Sequence, residues 1–302
     1  MMSEAAPAST LKAPAARSGE GQTVPVLTIV GCLILIWYAA AIWLNMPFQL
    51  QLNPDLSGMD LVYATWAAER PVLPSPHQVL AEIWKTTALV DITSKRSLFY
   101  HAWVTISSSL LGFAMGTLVG VLLAAAIVHV RALQKSLLPW IIASQTIPIL
   151  AIAPIIIVVL GSIGITGIFP KALISAYLCF FPIAISMVKG LTSPDLMQLD
   201  LMRTYNASQF ETFAKLRWPA SVPFLFAGFK VAIAISLVGA IVGEMPTGAQ
   251  AGLGARLLAG SYYGQTVQIW AALFMASGLA AFLVMAVAFA ERVTLKRMGV
   301  KP

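Results

Sequence analysis

LTSPDLMQLDLMRTYNASQFETFAKLRWPA, residues 191–220, separates two long apolar runs and carries the densest set of helix signals in the chain. Ser193 is placed to cap a helix whose first position is Pro194, where a missing N–H costs nothing. Asn206 reads as the stop, because Asn tolerates the left-handed backbone better than most residues. Ser208 and Glu211 then have capping-box spacing and predict a second helix, which should end before Pro219. Leu196, Leu199 and Met202 recur every three residues in the first helix, and Phe210, Phe213 and Leu216 do so in the second. The segment therefore reads as a helix–turn–helix elbow with apolar knobs. A helix that merely lies on a membrane surface carries a Lys/Arg-rich polar face, and this one does not.

Outward from the elbow the chain is apolar. Residues 24–46, 102–128, 136–170, 172–188 and 266–290 contain no Asp, Glu, Lys or Arg, and 221–243 contains only Lys230. Of the 302 residues, 59% are hydrophobic and 10% charged, with a mean hydropathy of +0.83; an ordinary soluble domain carries about 25% charged residues. A spanning helix needs about 20 mostly apolar residues. These runs do not alternate, so helices rather than barrel strands must satisfy the backbone in lipid. The 136–170 run is too long for one span, and its Gly161–Gly167 stretch with Pro170 reads as a turn between two. The expected fold class is an all-α polytopic membrane protein with six transmembrane helices.

The net charge of +7 does not point to nucleic acid, because of where the charges fall. With the N-terminus inside, cytoplasmic segments hold most of the Lys and Arg, including Arg131, Lys135, Lys189, Arg203, Lys215, Arg217, Arg292, Lys296 and Arg297. The outer segments hold Arg70, Lys85, Lys95, Arg96, Lys171 and Arg256. This positive-inside bias places both termini in the cytoplasm, and Trp43, Trp103, Trp140, Trp218 and Trp270 fall near span ends as an interfacial belt. The division that follows is a disordered cytoplasmic tail at 1–23, a first span at 24–46, an outer segment at 47–100 and a core at 101–295 that includes the elbow. Within the outer segment, Pro71, Pro74 and Pro76 precede a short helix from about His77 to Leu89.

Chemistry is sparse. Cys32 and Cys179 lie in separate apolar runs and read as small buried hydrophobes. His77, His101 and His129 are far apart, so neither a metal site nor a catalytic constellation is expected, and no cofactor. No Gly-Lys dipeptide occurs, which excludes a phosphate loop of the G-x-x-x-x-G-K type; if ATP drives this protein, another chain binds it. Span 3 carries Pro139, Pro148 and Pro154 and should be kinked. Broken helices in transporters line cavities, which makes Ser144, Gln145 and Thr146 candidates for the solute path, although such groups also serve as interhelical glue. Glu244 at the end of span 5 is a second solute-path candidate by its ionisable nature, against a structural role near Gly252-Leu-Gly254. Lys230 is expected to snorkel.

Aligned on Pro219, the elbow resembles the cytoplasmic EAA loop of ABC importer permeases, E-A-A-x3-G-x9-I-x-L-P. The matching positions are Asp200-Leu201-Met202, Asn206 and Leu216-Arg217-Trp218-Pro219. Asp replaces Glu, Leu-Met replaces Ala-Ala, Asn replaces Gly and Trp replaces Leu. Leu73-Pro-Ser-Pro76, Ile147-Pro148 with Ala153-Pro154, and Gly252-Leu-Gly254 are similar to the nitrate/sulfonate/taurine-type permease family, over roughly residues 70–295. The resemblance implies the type I importer-permease fold in a bacterial inner membrane. It implies two ATPase subunits docked on Asp200, Met202, Asn206, Ser208, Phe210, Glu211, Phe213 and Pro219, with ATP hydrolysis on those subunits and none here. It also implies a second permease subunit, expected to be another copy, and a periplasmic or lipid-anchored solute-binding protein.

Oxyanion carriers of this family often bear Arg three residues before the span 3 proline, where this chain has Gln145. The amide resembles that of relatives linked to pyrimidine-type vitamin precursors, and an amide offers hydrogen bonds rather than net charge. The expected solute is therefore a small heterocycle, with nitrate-, sulfonate- or taurine-like anions as the alternative. An ion-coupled secondary transporter would need acidic groups near the span centres, and a membrane-embedded enzyme would need paired catalytic groups; the spans supply neither.

Overall fold

A computed structural model of the chain describes residues 23–246 and 251–299. The tail expected at 1–23 falls outside them apart from Thr23. In order, the helices are α1 (Thr23–Leu52), α2 (Gly58–Trp66), α3 (Pro76–Ala88), α4 (Leu98–His129), α5 (Arg131–Ser144), α6 (Ile149–Ser162), α7 (Ile168–Leu191), α8 (Leu196–Thr204), α9 (Gln209–Thr212), a π-helical turn (Phe213–Arg217), α10 (Trp218–Glu244), α11 (Leu253–Tyr262) and α12 (Thr266–Arg297). Among the described residues, α1, α4, α7, α9–α10 and α12 are each long and apolar enough to cross a membrane. A sixth crossing results if α5 and α6, bent by 96°, are the halves of one broken span.

The centre of the bundle is α4, α7 and α10. Lipid tails are as apolar as Leu, so helices in a membrane associate through close packing and hydrogen bonds rather than by escaping water. Small residues at spacings of four supply that closeness. Side chains at Gly112, Gly116 or Gly120 of α4 would overlap Ser175, Cys179 and the Phe180 carbonyl of α7. At the same Ser175, a Cβ at Gly239 of α10 would lie 2.7 Å from Ser175 Cα. A hydroxyl chain crosses the same plane: Ser175 Oγ donates to Ser236 O (2.8 Å), and Ser236 Oγ donates to Ser109 O (2.6 Å). Lys230 of α10 does not simply snorkel; it pairs with Glu291 of α12.

The first span stands apart, with 6% of its most apolar window buried. It is held at one end by Asn45, whose Oδ1 accepts from Val72 N (2.7 Å) and Leu73 N (3.3 Å) and whose Nδ2 donates to Leu73 O (2.9 Å). Trp37 Nε1 donates to Pro74 O (2.9 Å), and its ring packs on Trp270 and Phe274 of α12. The Leu73-Pro-Ser-Pro76 stretch is thus a docking strip for α1. It then opens α3, where the Ser75 N–H donates to Gln78 Oε1 (3.0 Å).

Candidate functional site

The elbow forms much as its local signals require, with two corrections. Ser193 does not cap α8. Its hydroxyl donates backward to Gly190 O (2.8 Å), at the end of α7, and Asp195 takes the cap position with its N–H bound to Gln198 Oε1 (3.1 Å). The second helix does not end before Pro219 either. The turn at Phe213–Arg217 widens to a π-helix, the Trp218 N–H reaches back to Phe213 O, and Pro219 becomes a first-turn residue of α10. Gln209–Glu244 therefore runs as one apolar rod of 36 residues, about 54 Å at 1.5 Å per residue.

Asn206 adopts φ 51°. Its N–H returns to Arg203 O (2.9 Å) and that of Ala207 to Met202 O (3.0 Å), the two bonds of a Schellman stop. Glycine in the family pattern and asparagine here thus serve one backbone requirement. Ser208 and Glu211 form the capping box, Glu211 N donating to Ser208 Oγ (3.2 Å) and Ser208 N to Glu211 Oε2 (3.0 Å). Lys215 and Arg203 brace the two helices through pairs with Glu211 (3.0 Å) and Asp200 (2.9 Å).

The apolar knobs divide between two faces. Leu199, Met202, Phe213 and Leu216 turn inward and are half-buried. Phe213 packs between His129 of α4 (ring centroids 5.1 Å) and Trp218 (6.2 Å), and Arg217 donates to Leu191 O (3.1 Å). Phe210 instead faces outward, 77% exposed, with Leu196, Met197 (83% exposed), Leu201 and Tyr205. The three-residue spacing found Leu196 and Phe210 but missed Met197, Leu201 and Tyr205. Of the coupling residues expected from the resemblance, Asp200, Asn206, Ser208 and Phe210 lie on exposed surface, Met202, Glu211 and Pro219 are half-buried, and Phe213 is a seat for the elbow.

In the broken span, the break falls at Gln145–Pro148, while Pro139 and Pro154 are accommodated inside α5 and α6. Tyr177 of α7 donates to Ser144 O (2.5 Å) at the corner. Ser144 and Thr146 turn their hydroxyls onto their own helix, to Ile141 O and Ala143 O (both 2.7 Å). Gln145 differs: among the described residues its side chain makes one long contact, Nε2 to Ser144 Oγ at 3.4 Å, and is half-buried. Glu244 is elsewhere and fully buried. Its Oε2 accepts from Thr105 Oγ1 (2.9 Å) and Gly254 N (3.0 Å). That geometry fits the structural role, while Oε1 is buried with no hydrogen-bond partner among the described residues.

Comparison with known proteins agrees with this architecture. Residues 116–299 match the family of binding-protein-dependent transport system inner membrane components, and the chain belongs to it. It is an ABC importer permease, a transport component of the inner membrane that works with ATPase and substrate-binding partners. This sets aside the ion-coupled alternative. Similar proteins include the formylaminopyrimidine transport permease protein ThiX of Halalkalibacterium halodurans, 31% identical over 183 residues (61% of this chain, 68% of the relative). The riboflavin transport system permease protein RibX of Chloroflexus aurantiacus is 31% identical over 184 residues (61% and 65%). The nitrate import permease protein NrtB of Leptolyngbya laminosa is 26% identical over 178 residues (57% and 62%).

Proposed function

We propose that this permease carries a small, neutral or weakly charged heterocycle, of the pyrimidine-type vitamin-precursor kind, past Gln145. The observation that carries this reading is the amide at the 96° break of the span, half-buried while its neighbours' hydroxyls are spent on their own helix. An amide selects by exchanging hydrogen bonds and supplies no charge for an anion. Relatives named for formylaminopyrimidine and riboflavin, each at 31% identity, support the heterocycle over the nitrate relative at 26%. In the same reading the termini and the elbow face the cytoplasm, α2, α3 and α11 lie outside, and a second copy of the chain completes the path. A separate ATPase subunit closes on the exposed Phe210 face of each elbow.

The test is uptake by the assembled importer, using the compound found in its purified binding protein. Losing one neutral hydrogen bond costs about 0.5–1.5 kcal/mol. Gln145→Ala should thus lower uptake several-fold with ATPase association and membrane insertion intact. Uptake at the unsubstituted rate removes Gln145 from the path. A binding protein that holds nitrate, a sulfonate or taurine overturns the heterocycle.

A further inference from the structure

The N-terminus of α11 is capped by other helices. The first four N–H groups of a helix lack partners within it. Here Gly252 N donates to His101 Nδ1 (3.0 Å), Leu253 N to Thr105 Oγ1 (2.9 Å) and Gly254 N to Glu244 Oε2 (3.0 Å). His101 and Thr105 belong to α4 and Glu244 to α10. Because Gly252 N–H can only donate, His101 accepts at Nδ1 and carries its proton on Nε2, which donates to Lys95 O (2.9 Å). Thr105 Oγ1 also donates to Glu244 Oε2 (2.9 Å), so one hydroxyl joins all three helices. Lys171 of α7 brings a positive charge to the same corner, its Nζ donating to Ala251 O (3.2 Å).

The Gly252-Leu-Gly254 pattern follows from this contact. Gly252 has φ 123°, and a side chain there would overlap the Glu244 carboxylate; one on Gly254 would overlap Ile241 O. His101, Thr105 and Glu244, the side chains of this latch, are buried, and Lys171 is half-buried. A carboxylate at a helix N-terminus is favoured by the helix dipole as well as by hydrogen bonding.

Glu244 is also the last residue of the rod that starts at Gln209 in the elbow. Local packing is bistable rather than continuously deformable, so a rigid element moves its attachments with it. We infer that Glu244 is a positioning residue of the transport cycle: it fastens α11 to the far end of α10, so that α11 moves with the elbow. This inference rests on the reading of the elbow as the ATPase-docking element.

The experiment measures distances between spin labels in the assembled complex, with and without a non-hydrolysable ATP analogue. Labels replace the exposed residues Ala214 in the rod, Tyr262 in α11 and Tyr63 in α2. The background is Cys32→Ser, with labelled subunits diluted by unlabelled ones. The 214–262 distance should stay fixed on nucleotide binding while the 63–262 distance changes. Comparable changes in both, or none in 63–262 when the elbow itself responds, overturn the inference, and neither result depends on a latch variant folding. Glu244→Ala should broaden the 214–262 distribution, and Glu244→Gln, which keeps an acceptor oxygen, should restore it. An equally narrow distribution in Glu244→Ala counts against the tie. If no ATPase associates at all, the elbow reading fails, and the width comparison in the free permease still decides the latch.

Discussion

At the elbow end of α10, the side-chain caps are drawn from three residues away: Asp195 with Gln198, and Ser208 with Glu211. At the other end, the N–H groups that open α11 go to partners 151, 148 and 10 residues distant. Each end uses the same kind of bond to satisfy helix termini. The local caps restrict only a few residues and need no other part of the molecule. The distant caps form only once α4, α10 and α11 have been brought together, so they report on and reinforce the assembled bundle. On the proposed reading, a coupling surface gains from being stable on its own, and a tie between moving helices has to be shared by them.

Thr105→Val breaks the distant set most severely. It leaves Leu253 N–H without its acceptor and takes a donor from Glu244, at about 1–3 kcal/mol for each buried group left unsatisfied. The thermal midpoint in detergent should fall clearly, whereas Thr105→Ser, which keeps the hydroxyl, should melt close to the unsubstituted protein. Equal midpoints for Val and Ser at this position would mean that the long-range caps carry no weight.

On the elbow, Phe210→Asp should leave the midpoint unchanged and weaken co-purification with an ATPase subunit at least tenfold, about 1.4 kcal/mol or more, as loss of an interface aromatic anchor does. Phe213→Asp should do the opposite first, lowering the midpoint, because its ring sits between His129 and Trp218. An exchange of those two outcomes would mean that the docking and seating faces have been assigned the wrong way round.

Smaller effects sharpen the local side of the comparison. Asn206→Gly should be tolerated, while Asn206→Val, forced to φ 51°, should cost about 1–2 kcal/mol, read as faster proteolysis at the elbow. Ser208→Ala should cost about 1 kcal/mol, seen as faster hydrogen exchange at the Glu211 amide with little change at α11. Matching losses of protection at both ends would show that the elbow is not locally stabilised.

The apolar runs, the stop at Asn206, the Ser208–Glu211 box and the short α3 were legible in the residues because composition and contacts between near neighbours produce them. Ser193 misled because its hydroxyl had a second local choice, the Gly190 carbonyl, and only the end of α7 made that choice the better one. Pro219 misled because a π-helical turn before it let the helix pass through. The stripe Gly112, Gly116, Gly120 is visible at spacings of four, but nothing in it names α7 as the helix it admits. Likewise Glu244 and Gly252-Leu-Gly254 stand near one another in the chain, while His101 and Thr105, which complete the latch, lie about 150 residues away. Helical period and capping are properties of a few consecutive residues, so the chain carries them wherever it goes. Which buried polar groups meet depends on how separate helices pack, and that packing decided the route of α10, the seat of Phe213 and the partners of Glu244.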